Sequence, residues 1–99
     1  MKVAIKQSGG YAGEVKDLLQ LDTAQMEPSV SQQVERIIRD VKFFDLPAVV
    51  QGDVGGDFLR YEITVTDNGR QHTVSFKDDG GPKTAAIKKL VESLLKLRG

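Results

Sequence analysis

Few side chains in this sequence of 99 residues are able to carry catalysis. His72 is the only histidine and cysteine is absent, so a nucleophilic triad has one candidate base and no candidate thiolate. A zinc site needs several nitrogen or sulfur ligands, and a single histidine does not supply them. We interpret His72 as a packed or edge histidine with a local hydrogen-bond partner.

Paired carboxylates could still do acid–base chemistry. The candidates are Asp78 with Asp79 and Asp53 with Asp57. Both pairs lie in glycine-containing stretches, where aspartates usually form turns or stay solvated, and we interpret them in that way. A small hydrolase that uses Asp78 and Asp79 is the weakest of the functional hypotheses. The sequence therefore predicts no catalytic residue, no metal and no cofactor.

Two glycine-containing stretches raise the question of a phosphate site. Residues 8–13 connect two predicted strands, whereas the dinucleotide fingerprint lies between a strand and a helix. The glycines at positions 80–81 do precede a predicted helix, whose N-terminus could bind an anion. Asp78 and Asp79 lie directly before them, and their negative charge disfavours an anion there.

The charges of the chain balance, since 14 basic and 14 acidic residues cancel. Such a chain has no overall field to hold a nucleic acid or an anionic membrane surface, so we expect neither partner. Lys88 and Lys96 on the last predicted helix are each four positions from Glu92. This spacing favours a solvated face with ion pairs over a basic patch.

Length and hydropathy predict a single domain over residues 1–99, because a chain of this length supports one core. The first residues alternate as a strand does and contain no long apolar run, so we expect neither a signal peptide nor a membrane span. The lack of cysteine suits a reducing compartment. We expect a cytoplasmic protein, with export by another route left open.

A β-hairpin over residues 57–77 organises the other elements. Its first strand alternates apolar and polar residues with the period of a half-buried strand. Asn68 and Gly69 tolerate the positive φ angles of a type I′ turn, which sets the register. On the core face the predicted pairs are Val65 with His72, Ile63 with Val74, and Tyr61 with Phe76. On the polar face they are Thr64 with Thr73, Glu62 with Ser75, and Arg60 with Lys77.

A second hairpin joins residues 2–7 to residues 15–21. In its second strand, alternation places Val15, Asp17, Leu19 and Leu21 on one face and Leu18 on the other. This register is less well defined than that of the first hairpin, because no tight turn specifies it.

Two helices complete the predicted fold. The first begins at Pro28 and ends near residues 42–44, before Pro47. The second follows Pro82, and residues 48–56 form a loop with a short extended piece at 49–50. The apolar stripe of the first helix contains Val30, Val34, Ile37, Ile38 and Val41, and that of the second contains Ala86, Ile87, Leu90, Val91, Leu94, Leu95 and Leu97.

The order strand, strand, helix, strand, strand, helix indicates an α+β two-layer sandwich. We expect a four-stranded antiparallel sheet with both helices on one face and the other face partly solvated. The order of the strands across the sheet is left open.

Two segments expose large apolar groups next to small or rigid residues. Residues 8–13 form a hairpin tip with Tyr11 among glycines, and residues 43–47 gather three large apolar side chains at a proline-fixed turn. One interpretation is structural, with Phe43 or Phe44 covering the core and Leu46 holding the loop. The other is that both segments form an interaction surface. Chemistry alone leaves both interpretations open.

These segments resemble the emfourin family of small bacterial inhibitors of protealysin and related thermolysin-like zinc metalloproteases. The resemblance spans nearly the whole chain in order. The matching residues are the runs at 8–13 and 43–47, Asp57, the run at 61–65, Gly69, the run at 72–74, and Pro82 before a leucine-rich helix. It implies a non-enzymatic inhibitor that binds the active-site cleft of a metalloprotease by protein–protein contact.

The resemblance also implies a site. The tip would enter the cleft with Tyr11 as an aromatic anchor, while Phe44 and Leu46 contact the rim or an apolar pocket and Asp45 approaches the zinc or a cationic residue. The protease-binding residues are then Ser8, Gly9, Gly10, Tyr11, Ala12, Gly13, Phe44, Asp45, Leu46 and Pro47. We expect a monomer. The alternative is a binding module that acts through its open sheet face, with Phe58, Arg60 and Thr64 as contacts.

Overall fold

The computed structural model describes residues 1–9, 15–50 and 59–97. These residues form strands β1 (Lys2–Ser8), β2 (Lys16–Asp22), β3 (Val49–Val50), β4 (Arg60–Asp67) and β5 (Arg70–Lys77). Helix α1 is Pro28–Asp40 and helix α2 is Ala85–Leu97. Short 3-10 turns lie at Thr23–Gln25 and Phe43–Asp45. Both helices are thus found where the apolar stripes predict them.

The sheet has five strands in the order β2-β1-β4-β5-β3. The expected four-stranded antiparallel sheet is wrong in this detail, because β3 pairs in parallel with β5 and makes the sheet mixed. The backbone N–H of Ser75 donates to the carbonyl of Ala48 over 2.8 Å and begins this pairing. A strand of two residues is too short to show a period, so its pairing depends on where the chain lies after the preceding turn.

The predicted register of β4 and β5 is confirmed at every pair from Arg60 with Lys77 to Asp67 with Arg70. Asn68 has φ 50° and Gly69 has φ 78°, as a type I′ turn requires. On the polar face the hydroxyls of Thr64 and Thr73 are 2.9 Å apart and hydrogen bonded. The tight turn therefore determines which side chains of this hairpin face the core.

The predicted register of β2 is wrong at its first half, because a β-bulge interrupts the pairing with β1. Ile5 pairs with Leu19 but the next residue, Lys6, pairs with Asp17, which leaves Leu18 as the extra residue. Asp17 consequently lies on the outer face with Lys6, and Leu18 packs against the core. Val15, expected beside Leu19, is 65% exposed.

The core lies between one face of the sheet and the two helices. The strands contribute alternating residues to a single cluster that also contains the inner faces of both helices. In α1 the predicted stripe is confirmed for Val34, Ile37, Ile38 and Val41, with Val34 and Ile38 fully covered. In α2 the prediction fails only for Ala86, which is exposed. Across the described part of the chain, no helix is long and apolar enough to cross a membrane.

Two residues after the end of helix α1, the chain adopts left-handed backbone geometry. Lys42 has φ 51° and ψ 53°, and its N–H donates to the carbonyl of Arg39 over 2.9 Å. Glycine usually occupies this position after a helix, because a Cβ atom is strained there. The reversal at Lys42 directs the chain into the turn that carries Phe43 and Phe44.

Replacing Lys42 with glycine should stabilise the fold by about 0.5–1 kcal/mol, since relief of the left-handed strain exceeds the entropy that glycine loses. The same change at exposed Lys89, inside α2, should destabilise it by about 1 kcal/mol. Urea unfolding of the two variants measures both effects. A loss of stability in Lys42→Gly would contradict the assignment of strain.

Candidate functional site

The turn at residues 43–47 packs against the β4–β5 hairpin through His72. Phe43 is 1% exposed, and its ring meets the His72 ring edge-on with centroids 5.6 Å apart. Nε2 of His72 lies 2.7 Å from the carbonyl oxygen of Leu46. Because a carbonyl only accepts, Nε2 carries the proton and donates. The interpretation of His72 as a packed histidine with a local partner is confirmed.

Phe44 continues this packing toward the surface. Its ring centroid lies 6.0 Å from that of Phe43 and 6.3 Å from that of His72. The guanidinium carbon of Arg70 lies 4.5 Å from the centre of the Phe44 ring, in a cation–π arrangement. The structural interpretation is thus correct for Phe43, while Phe44 is only half-buried.

The surface that this turn presents is small and stiff. Asp45 and Pro47 are exposed, and Phe44 and Leu46 are half-buried. A shallow cleft beside Phe44 carries charges of both signs on its rim, from Arg39, Lys42, Arg70, Asp45 and Asp67. The turn therefore offers apolar and polar contacts held in one arrangement, as a recognition surface requires.

The hairpin tip is described only at its start. Ser8 is the last residue of β1 and pairs with Arg60. Gly9 has φ 95°, a backbone conformation that glycine adopts without strain, and the chain leaves the sheet at this residue. The remaining predicted contacts lie outside the described residues: Gly10, Tyr11, Ala12 and Gly13.

The strand register places the start of the tip and the 43–47 turn toward opposite ends of the sheet. Ser8 lies in register with Arg60, at the end of the sheet where β4 begins. His72, which donates to Leu46, pairs with Val65 on β4, and Val65 pairs with Val3 on β1. Val3 lies five residues before Ser8 along β1. At a rise of about 3.3 Å per residue, the two rows are about 17 Å apart. Ser8 and the 43–47 turn thus lie in two separate regions.

Side chains at the start of the tip form a network that sequence reasoning missed. Nε2 of Gln7 lies 3.1 Å from the hydroxyl oxygen of Tyr61 and donates to it. The Tyr61 ring stacks on Phe76 with centroids 5.3 Å apart, and Nζ of Lys88 lies 4.8 Å from its centre. The only signal in the sequence was the predicted pairing of Tyr61 with Phe76.

Lys88 joins this network to the end of β5 through an ion pair with Asp78. The expected pairing of Lys88 with Glu92 is therefore wrong, because the first turn of α2 places the ammonium over the strand ends. Burial by itself would lower the pKa of Lys88, but the hydrogen bond to Asp78 and the electrostatic interactions with Tyr61 and Asp78 outweigh it and raise the pKa. Lys88 stays charged at neutral pH.

Of the carboxylates considered for acid–base chemistry, Asp78 and Asp79 have structural partners. Oδ1 of Asp79 accepts hydrogen bonds from the Gly81 N–H and the Thr84 hydroxyl, both over 2.8 Å. This is the turn-forming role predicted for Asp79. Asp53 and Asp57 lie outside the described residues. Within residues 1–9, 15–50 and 59–97, no group of His, Cys, Asp or Glu side chains is arranged to hold a metal ion.

The open sheet face presents mainly polar groups. Arg60 is exposed, and the hydroxyl of Thr64 is bonded to that of Thr73. Phe58, the apolar contact expected there, lies outside the described residues. The described part of this face has a shallow depression over β1 and β2 lined by polar side chains such as Lys2, Gln20 and Asp22.

Replacing His72 with phenylalanine should destabilise the protein by about 1–2 kcal/mol, because the ring contacts remain while the Leu46 carbonyl loses its donor. Changing the neighbouring exposed Gln71 to leucine should shift stability by less than about 0.5 kcal/mol. Chemical denaturation measures both. An equal loss in the two variants would show that the bond from His72 contributes nothing specific.

Comparison with known proteins identifies one family. The family model described as Emfourin matches residues 5–95, which is nearly the whole chain. Searches of curated proteins and of solved structures gave no match. The emfourins are protease inhibitors and not enzymes. Since the match includes both hairpins and both helices, this chain belongs to the emfourin family of protease inhibitors.

Proposed function

We propose that the protein inhibits a thermolysin-like zinc metalloprotease such as protealysin by occupying its active-site cleft. The family match over residues 5–95 carries this proposal, since it supports an inhibitor in general. The resemblance seen in the sequence supplies the class of target. His72 and Asp79 both make hydrogen bonds that hold the fold, which favours a binding function over catalysis.

In this proposal the tip at residues 8–13 enters the cleft. Small residues let the backbone approach the enzyme closely, and Tyr11 supplies one large contact. The strands beneath the tip are rigid, because β1 lies between β2 and β4 and is paired on both sides. A frame that is already ordered lowers the entropy cost of association.

The 43–47 turn acts as a second, separate contact in this proposal. Its row lies about 17 Å from that of Ser8, judged from the rise of a strand. A standard interface is wide enough to include both. With the tip at the zinc site, Asp45 meets a cationic residue on the rim of the enzyme, and Phe44 and Leu46 supply apolar contact.

The decisive experiment titrates the purified protein against a thermolysin-like protease while peptide cleavage is followed. Activity should fall linearly and vanish at one equivalent, as expected for a monomeric inhibitor, and a trypsin-like serine protease should be unaffected. Unchanged metalloprotease activity at excess protein would reject the proposal and leave the open-sheet-face module as the alternative. The cytoplasmic location stays a prediction that cell fractionation tests.

Within this proposal, Tyr11→Ala should weaken inhibition by about 1–3 kcal/mol, or roughly 5- to 150-fold in the inhibition constant. Tyr11→Phe keeps the ring and should retain most of the affinity. Asp45→Ala at the rim should have a smaller effect than Tyr11→Ala, since exposed rim charges contribute little to affinity. Tyr11→Ala with unchanged inhibition and an intact fold would remove Tyr11 from the site.

A further inference from the structure

One row of side chains crosses the core face of the sheet just before the tip. Gln7, Tyr61 and Phe76 occupy matching positions on β1, β4 and β5. Tyr61 is 7% exposed and Phe76 is 1% exposed, so the row closes that end of the core. The hydrogen bond from Gln7 to the Tyr61 hydroxyl is the side-chain link between this closed end and the strand that leads into the tip.

The Tyr61 ring is itself fixed from two sides. Phe76 stacks on it with an interplanar angle of 19°, and the Lys88 ammonium from α2 lies against it. Lys88 is held by Asp78, whose backbone N–H donates to the carbonyl of Leu59 over 2.8 Å. Helix α2 and the ends of β4 and β5 therefore determine where the Tyr61 hydroxyl lies.

Strand β1 is paired on both sides, but its pairing with β2 is less regular than its pairing with β4. The bulge at Leu18 interrupts the pairing with β2 between Ile5 and Lys6. The pairing with β4 continues without a break as far as Ser8. A bulge bends its strand and weakens the local ladder, although Lys6 and Gln7 still pair with Asp17 and Lys16 beyond it. At the end of β1 the more regular neighbour is therefore β4, which carries Tyr61.

We propose that Gln7 and Tyr61 are positioning residues for inhibition: their hydrogen bond fixes the direction in which the chain leaves β1 at Ser8 and Gly9. This inference rests on the proposed function, because it assigns the tip's orientation to residues that do not touch the protease. Through it, α2 contributes to inhibition by means of Lys88 without lying at the contact surface.

The first test removes the hydrogen bond between Gln7 and Tyr61 and keeps the ring packing around Tyr61. Tyr61→Phe deletes one hydroxyl while the stacking on Phe76 and the contact with Lys88 remain, and Gln7→Met keeps a side chain of similar length. Each variant should raise the inhibition constant about three- to tenfold, and the double variant should raise it no further, because both changes break the same bond. Independent effects that multiply in the double variant would overturn the proposal.

The matched control is Thr73→Val, which breaks the hydrogen bond to Thr64 on the outer face, away from the tip. This variant should lose stability comparable to that lost by Tyr61→Phe but keep the inhibition constant of the wild type. Equal weakening of inhibition in the two variants would show that the Tyr61 bond acts only through stability, and would overturn the positioning role.

A second readout does not need a protease. Amide hydrogen exchange at residues 8–14 should be faster in Tyr61→Phe than in the wild type and unchanged in Thr73→Val. If the wild type inhibits no metalloprotease, the proposed function fails, yet this difference in exchange would still support positioning of the tip. Identical exchange in all three proteins would overturn the inference, whatever the inhibition assay shows.

Discussion

The register of β4 against β5 is the constraint on which the other contacts depend. The positive φ angles of Asn68 and Gly69 set this register at the turn. A slip of one residue would move Tyr61, Ile63 and Val65 from the core to the outer face. In the observed register Tyr61 and His72 both face inward, one near each end of the hairpin. Tyr61 is hydrogen bonded to Gln7 and His72 to the carbonyl of Leu46.

These two inward side chains each bond to a segment outside their own hairpin. His72 donates to the carbonyl of Leu46 near the end of the hairpin that carries the Asn68 turn. Near the other end, the Tyr61 hydroxyl accepts from Gln7, just before the tip. The 43–47 turn and the end of β1 are thus each joined to the same hairpin by a polar bond within aromatic packing.

The charges of the protein serve mainly its own structure. The 14 basic and 14 acidic residues cancel, and several of them have internal partners: Lys88 pairs with Asp78, Arg39 with Glu35, and Arg70 packs on Phe44. Net charge therefore does little to steer this protein toward a partner.

The sequence by itself determined the local features. A two-residue turn sets its own backbone angles, and a period of two or 3.6 residues shows which side faces the core, so the β4–β5 register, both helices and the packed state of His72 were predictable. Only tertiary structure decided the rest. Val49 and Val50 form a strand too short to show a period. The bulge at Leu18 lies in an edge strand that no tight turn holds in register. Lys88 pairs with Asp78 because the packing of α2 brings the two side chains together. The distance between Ser8 and the row of His72 follows from the pairing of β1 with β4, which depends on packing between distant segments rather than on any local signal.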